Sequence, residues 1–149
     1  MKFNYTSKEE FFADFHHHIK AEARIDDEEK FEEEVFTQFM LEYLNDSNFT
    51  ENAVSCRHKG RGFKIDGYDM NATQNSIDII VTHFNNDQNE IYKVGKPEIT
   101  KSFKWASNFL EQSRVGSGLH DKLEDSAEAY DLAKLIHQNF KSLIRARII

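Results

Sequence analysis

Between Gly62 and Phe84 the chain reads GFKIDGYDMNATQNSIDIIVTHF, and the alternation within this stretch dictates a two-stranded centre. Two runs rich in β-branched and aromatic residues flank a polar NATQN, which predicts strands over Gly62–Met70 and Ser76–Phe84 joined by a turn. Side chains alternate across a strand, so Phe63 and Ile65 share one face, as do Ile77, Ile79 and Val81. A loop of Asn71–Asn75 sets Met70 opposite Ser76, Tyr68 opposite Asp78 and Asp66 opposite Ile80. That register buries the odd-numbered aliphatics and gathers Lys64, Asp66 and Asp78 on the other face. Two acids and a lysine on one face are the parts of a divalent-metal site for cutting phosphodiesters. The commoner use of such acids is to wet a half-exposed sheet, and the hairpin alone leaves both readings open.

The elements around the hairpin follow from periodicity. Ser7 and Glu10 form a capping box, and Phe11, Phe12, Phe15 and Ile19 recur at helical spacing, predicting a helix over about Lys8–Ala23. Its run His16, His17, His18 cannot chelate one ion, because consecutive helical residues point about 100° apart. All three are expected on the solvated surface. Asp26 or Asp27 caps a second helix, whose apolar face carries Phe31, Val35, Phe36, Phe39, Met40, Tyr43 and Leu44. Gln38 and Glu42 border that face, and Glu42 is placed to reach a neighbouring sheet. A short strand over about Asn52–His58 leads through GRG into the hairpin, and His83 is expected in the core or at its rim. IYKVG reads as a short strand. Pro97 then opens a helix to about Ser113 with Ile99, Phe103, Ala106, Phe109 and Leu110 inside and Trp105 on its flank. RVGSG breaks it, Leu119–Leu123 form one turn, and Ser126 caps a last helix bearing Tyr130, Ala133, Ile136 and Phe140. In SLIRARII, Ile144, Ala146 and Ile148 alternate with Arg145 and Arg147, the period of a strand with one apolar face. The fold class expected is α+β, a mixed sheet of about four strands flanked by helices in the order α-α-β-β-β-α-α-β.

With 149 residues and 13 phenylalanines, the chain can bury one core, as a single domain. No apolar run approaches the roughly 18 residues of a membrane span, and MKFNYTSKEE lacks the apolar heart of a signal peptide. A lone Cys56 excludes an internal disulfide and fits a reducing compartment, so the expected location is cytoplasmic. The net charge of −7 argues against a nonspecific nucleic-acid binder, but the charge is uneven. DDEEKFEEE (26–34) concentrates acid, whereas CRHKGRGFK (56–64) carries Arg57, Lys59, Arg61 and Lys64.

Two segments, RHKGRGFKIDGYDMNATQNSIDIIVTHFNND and EITKSFKWASNFLEQ…GLHDKLEDSAEAYDLAKLIHQNF…IRARII, resemble the N-terminal region of bacterial abortive-infection phage-resistance proteins. The shared marks are a GRG…DGY strand, a following aliphatic strand and an AYDLA helix, and the likeness runs from about Phe31 to Ile149. Membership implies a role in defence against phage. The family's proteins are several times longer, which implies that this is the N-terminal fragment of a protein with a further C-terminal domain.

The element order also resembles the restriction-endonuclease-like superfamily, in which one acid stands on a strand and an acid–x–lysine motif on the next. Asp66 matches the first acid and Asp78 the second, while the lysine position falls on Ile80, leaving Lys64 as the nearest substitute. The resemblance implies Mg²⁺ held by Asp66, Asp78 and the Ile79 carbonyl, with Lys64 at the phosphate and Glu42 as an outer acid. Arg57, Lys59, Arg61, Lys101 and Lys104 are the expected contacts to DNA or RNA. The competing readings are the same fold as a non-catalytic platform for nucleic acid or a partner protein, and an assembly domain forming a homo-oligomer.

Overall fold

A computed structural model describes residues 7–24, 31–71, 73–87, 89–116 and 118–149. Helices α1 (Lys8–Glu22) and α2 (Glu32–Asp46) precede a meander of β1 (Val54–Gly60), β2 (Phe63–Asn71) and β3 (Ser76–Ile80). Helix α3 (Lys96–Arg114), a 3₁₀ turn (Leu119–Lys122), α4 (Glu128–Asn139), a second 3₁₀ turn (Phe140–Ser142) and β4 (Arg145–Ile148) complete the order. The sheet runs β1-β2-β3-β4, antiparallel except that β4 lies parallel to β3. The expected α+β class and element order hold. IYKVG forms no strand, and the cap expected at Asp26 or Asp27 lies outside the described residues.

The β2–β3 register is one residue from that expected. Asn71, not Met70, pairs with Ser76, and Asp78 stands opposite Asp69 rather than Tyr68. The cause is in the turn. Asn71 stays in the strand and its Oδ1 accepts from the Gln74 amide at 2.8 Å, while Asn75 takes a left-handed φ of 47°. Such a slip would turn the aliphatics of β3 against those of β2. Yet Phe63, Ile65, Ile77 and Ile79 occupy one cluster, with Val81 against it, because the alternation along β2 also breaks once. Ile65 and Tyr68 both pack into that cluster, and between them two β1 residues, Cys56 and Arg57, oppose the single Asp66. Two offsets cancel, and the bulge lies at Asp66.

The main core lies between the sheet and helices α3 and α4, where Phe109, Ala129, Ala133 and Ile136 are sealed against Ile65, Ile77 and Ile79. The opposite face takes α2, through Leu41 against Ile80 and Ala53, and α1 closes over α2 and Phe84 through Ile19. Tyr43 and Phe31, expected on the apolar face of α2, are exposed, and Thr37 and Leu41 are buried instead. Ile99 and Phe103 are likewise more exposed on α3 than their spacing predicts, and α4 starts at Glu128 rather than after Ser126. His16 is a further correction. It is buried between Phe12 and Phe84, whereas its neighbour His17 is exposed.

Strand β4 places Ile148 against the main core and turns Arg147 to the other face, as its alternation predicts. Ile149 continues the pairing, its N–H donating to the Ile79 carbonyl at 2.9 Å.

Candidate functional site

Strand β3 ends at Ile80, short of the expected Phe84, because the next amides leave the β2 ladder. The Thr82 N–H donates 2.7 Å to Oδ2 of Asp66, so a side chain on β2 takes the place of a main-chain partner. Asp66 is 1% exposed, and a carboxylate so deep needs partners. Lys64 supplies one, its ammonium 3.0 Å from Oδ2. The same ammonium donates to the Thr82 carbonyl at 3.1 Å and to Oε1 of Glu33 at 3.4 Å. Oxygens from β2, α2 and the segment just after β3 therefore converge on one point, now filled by a lysine.

Arg57, put beside Asp66 by the bulge, bridges Glu33 at 3.0 Å and Glu34 at 2.8 Å. Its Nε stands 3.9 Å from Oδ1 of Asp66, and neither atom has a hydrogen-bond partner among the described residues. A buried carboxylate oxygen without a hydrogen bond is uncommon, and a water, a further donor or a cation would satisfy it. Around this cluster runs a cleft of about 580 Å³ between α2, the sheet, α3 and the start of α4, reaching to Lys59, His83, Lys101 and Trp105.

The other expected residues go elsewhere. Asp78 lies opposite Asp69, three residues along β2 from Asp66, or about 10 Å. Both of its oxygens receive Arg147, at 2.9 and 2.6 Å, and Arg147 also covers the Phe49 ring. Asp66 and Asp78 therefore belong to separate clusters, and Asp78 fastens β4 to β3. The Ile79 carbonyl is taken by Ile149, and Ile80 is sealed against Leu41 and Ala53. Glu42 is exposed beside Gln38, eight residues along α2 from Glu34 and about 12 Å down the axis. Of the predicted cations, Arg57, Lys59, Lys64 and Lys101 line the cleft, Lys104 a groove beside it, and Arg61 is exposed in the β1–β2 turn. The residues that sequence reasoning missed are Glu33 and Glu34. They lay in view as part of the acidic run, whose place at the start of a helix explained them by the helix dipole alone.

Among the described residues no group of three or more histidine, cysteine, aspartate or glutamate side chains is arranged to hold a metal. The donor set around Lys64 nevertheless suits Mg²⁺, which takes hard oxygens and needs only one or two carboxylates beside water and phosphate oxygens. Cys56 offers no nucleophile. Burial, with Glu128 nearby, pushes its thiol up to about 12, and its Sγ–H points at the Glu128 carbonyl.

Comparison with known proteins then decides the family. The family model of the abortive infection phage resistance protein N-terminal domain matches residues 36–149, well over half of the chain. The chain belongs to this family. No curated protein and no solved structure matches it. This abortive-infection domain thus has its role in phage defence from the family. The match opens at Phe36, so Glu33 and Glu34 precede the matched span, whereas Arg57, Lys64, Asp66 and Trp105 lie inside it. No helix among the described residues is long and apolar enough to cross a membrane.

Proposed function

We propose that this phage-defence domain is a divalent-metal-dependent nuclease whose site is the cluster of Asp66, Glu33 and Lys64. The observation that carries the reading is Asp66 itself, a sealed carboxylate with one open oxygen at the floor of a cleft rimmed by Arg57, Lys59 and Lys101. The order of a helix, a three-stranded meander, a helix and a parallel fourth strand supports a restriction-endonuclease-like core. Asp66 and Glu33 are the residues that would hold Mg²⁺. When bound, the cation supplies charge neutralisation at the phosphate and lowers the pKa of a water. Lys64, arriving from the strand next to the usual one, holds its ammonium beside the acid and offers it to the phosphate as negative charge develops there. Arg57 keeps Glu33 and Glu34 turned into the cleft. Deep placement of the acid excludes bulk water, which strengthens each of these charge contacts.

A second reading has its own observation. Arg57 and Lys64 already balance the acids, as they would in a recognition domain that binds nucleic acid without cutting it.

The test is cleavage of labelled DNA and RNA oligonucleotides by the purified protein with Mg²⁺ or Mn²⁺. Asp66→Asn and Lys64→Ala should each lower the rate by about a hundredfold, the value of about 3 kcal/mol for one charge contact in such a site. Glu42→Gln should cut at the wild-type rate. Undiminished cleavage by Asp66→Asn overturns the assignment, and a wild type that binds but never cuts leaves the recognition reading.

A further inference from the structure

The tryptophan at position 105 is the only one in the chain, and it stands half-buried where two cavities meet. Trp105 and Lys101 line both the cleft over Asp66 and a shallower groove with Pro97, Thr100 and Lys104. Lys101 precedes Trp105 by four residues on α3, so the two share a helix face, and its ammonium lies 4.6 Å from the ring centre. Lys59, from the end of β1, brings a second ammonium to 5.5 Å. An aromatic ring flanked by lysines is the pattern that binds nucleic-acid strands by stacking bases and pairing phosphates.

Resting on the nuclease reading for its location, we infer that Trp105 is a stacking platform for an unpaired base and that the strand entering the cleft is single. A base inside a duplex has both faces covered by its neighbours, so the ring suits an unpaired base. The charges point the same way. Lys59, Lys101 and Lys104 stand on the Trp105 side, where Glu98 is held by Tyr92 and the Gly95 amide, whereas Glu33, Glu34, Asp66 and Glu128 line the rest of the cleft with only Arg57 and Lys64 among them. One backbone can follow the lysines; a second, across the cleft, would meet an excess of carboxylates over Arg57 and Lys64, which are already paired. The lysines over the ring are no obstacle, because an exposed cation–π contact is weaker than a stacked base and yields to it.

Trp105 reports on itself, since all tryptophan emission comes from this ring. The protein is titrated in EDTA with a thymidine oligonucleotide, a uridine oligonucleotide, a hairpin duplex and an abasic strand of equal charge. Either single strand should quench the emission and shield it from acrylamide, whereas the duplex and the abasic strand should leave it almost unchanged. Trp105→Ala should weaken binding of a labelled single strand by roughly ten- to a hundredfold, with Trp105→Phe between it and the wild type. Equal quenching by the abasic strand or the duplex, unchanged affinity in a folded Trp105→Ala, or no binding of single strands overturns the inference. Without metal the readout is independent of cutting. Binding through Trp105 without cleavage defeats the nuclease reading alone, and cleavage with equal binding of abasic strands defeats this inference alone.

Discussion

The ammonium of Lys64 lies 3.0 Å from Oδ2 of Asp66 and 3.4 Å from Glu33, so one lysine joins two acids carried by different elements. Removing it leaves a buried carboxylate whose remaining ion-pair partner among the described residues is Arg57 at 3.9 Å. Lys64→Met should therefore lower unfolding stability by about 2 kcal/mol in urea titration. Asp66→Asn in the same chain should recover much of that loss, because the uncompensated charge disappears. Strict additivity of the two substitutions would show that the ion pair carries no coupling.

Arg147 and Asp78 should behave as a structural pair. Asp78 is buried and both its oxygens are taken by Arg147, whose hydrogen bond to Asp78 also raises the guanidinium pKa above its usual value. Arg147→Met should cost about 1–3 kcal/mol and loosen β4, seen as faster amide exchange at Ala146 and Ile148. Its cleavage rate, measured where the variant is fully folded, should match the wild type. A hundredfold loss there would return Asp78 to the proposed site.

The helices and strands were legible in the chain because each depends on local periodicity. Even β4 could be read, from four alternations in SLIRARII. The separation of Asp66 from Asp78 was not legible, because it depended on counting residues through a turn and across a bulge. Asn71 kept its strand position by bonding Gln74, which moved Asp78 opposite Asp69, and no spacing rule marks that choice. Asp66 and Lys64, two residues apart on one strand, depended on no count and were placed together as expected. Glu33 came from a distant helix, a contact that only the packing of α2 on the sheet reveals.

Gly67 tests how closely that packing is set. A Cβ there would meet the Val54 carbonyl at 2.8 Å and Leu41 at 2.9 Å, and the first of these is backbone that cannot turn aside. Gly67→Ala should destabilise by about 1–3 kcal/mol in denaturant titration. A variant within a few tenths of wild type would mean that α2 sits less tightly on β2 than the distances require.

His16 gives the domain a pH dependence with a definite sign. Burial beside Phe12 and Phe84 lowers its pKa from 6.5; Lys20 adds to this, and Glu32 and Asp87 oppose it. The folded state thus prefers the neutral ring, while the unfolded chain takes up a proton near its ordinary value of about 6.5. Below that pH the unfolded state binds more protons. The contribution of His16 is therefore complete above about pH 6.5 and is lost as pH falls through the lower folded value. Because His16 seats α1 against Phe84, the loss should appear first as opening of α1. Amide exchange over Lys8–Glu22, corrected for its intrinsic rate, should speed up between neutrality and about pH 5.5 in the wild type. In His16→Leu, which fills the same apolar site without a proton to gain, that extra acceleration should vanish. Persistence of the same pH dependence in His16→Leu would assign it to another group and leave α1 indifferent to His16.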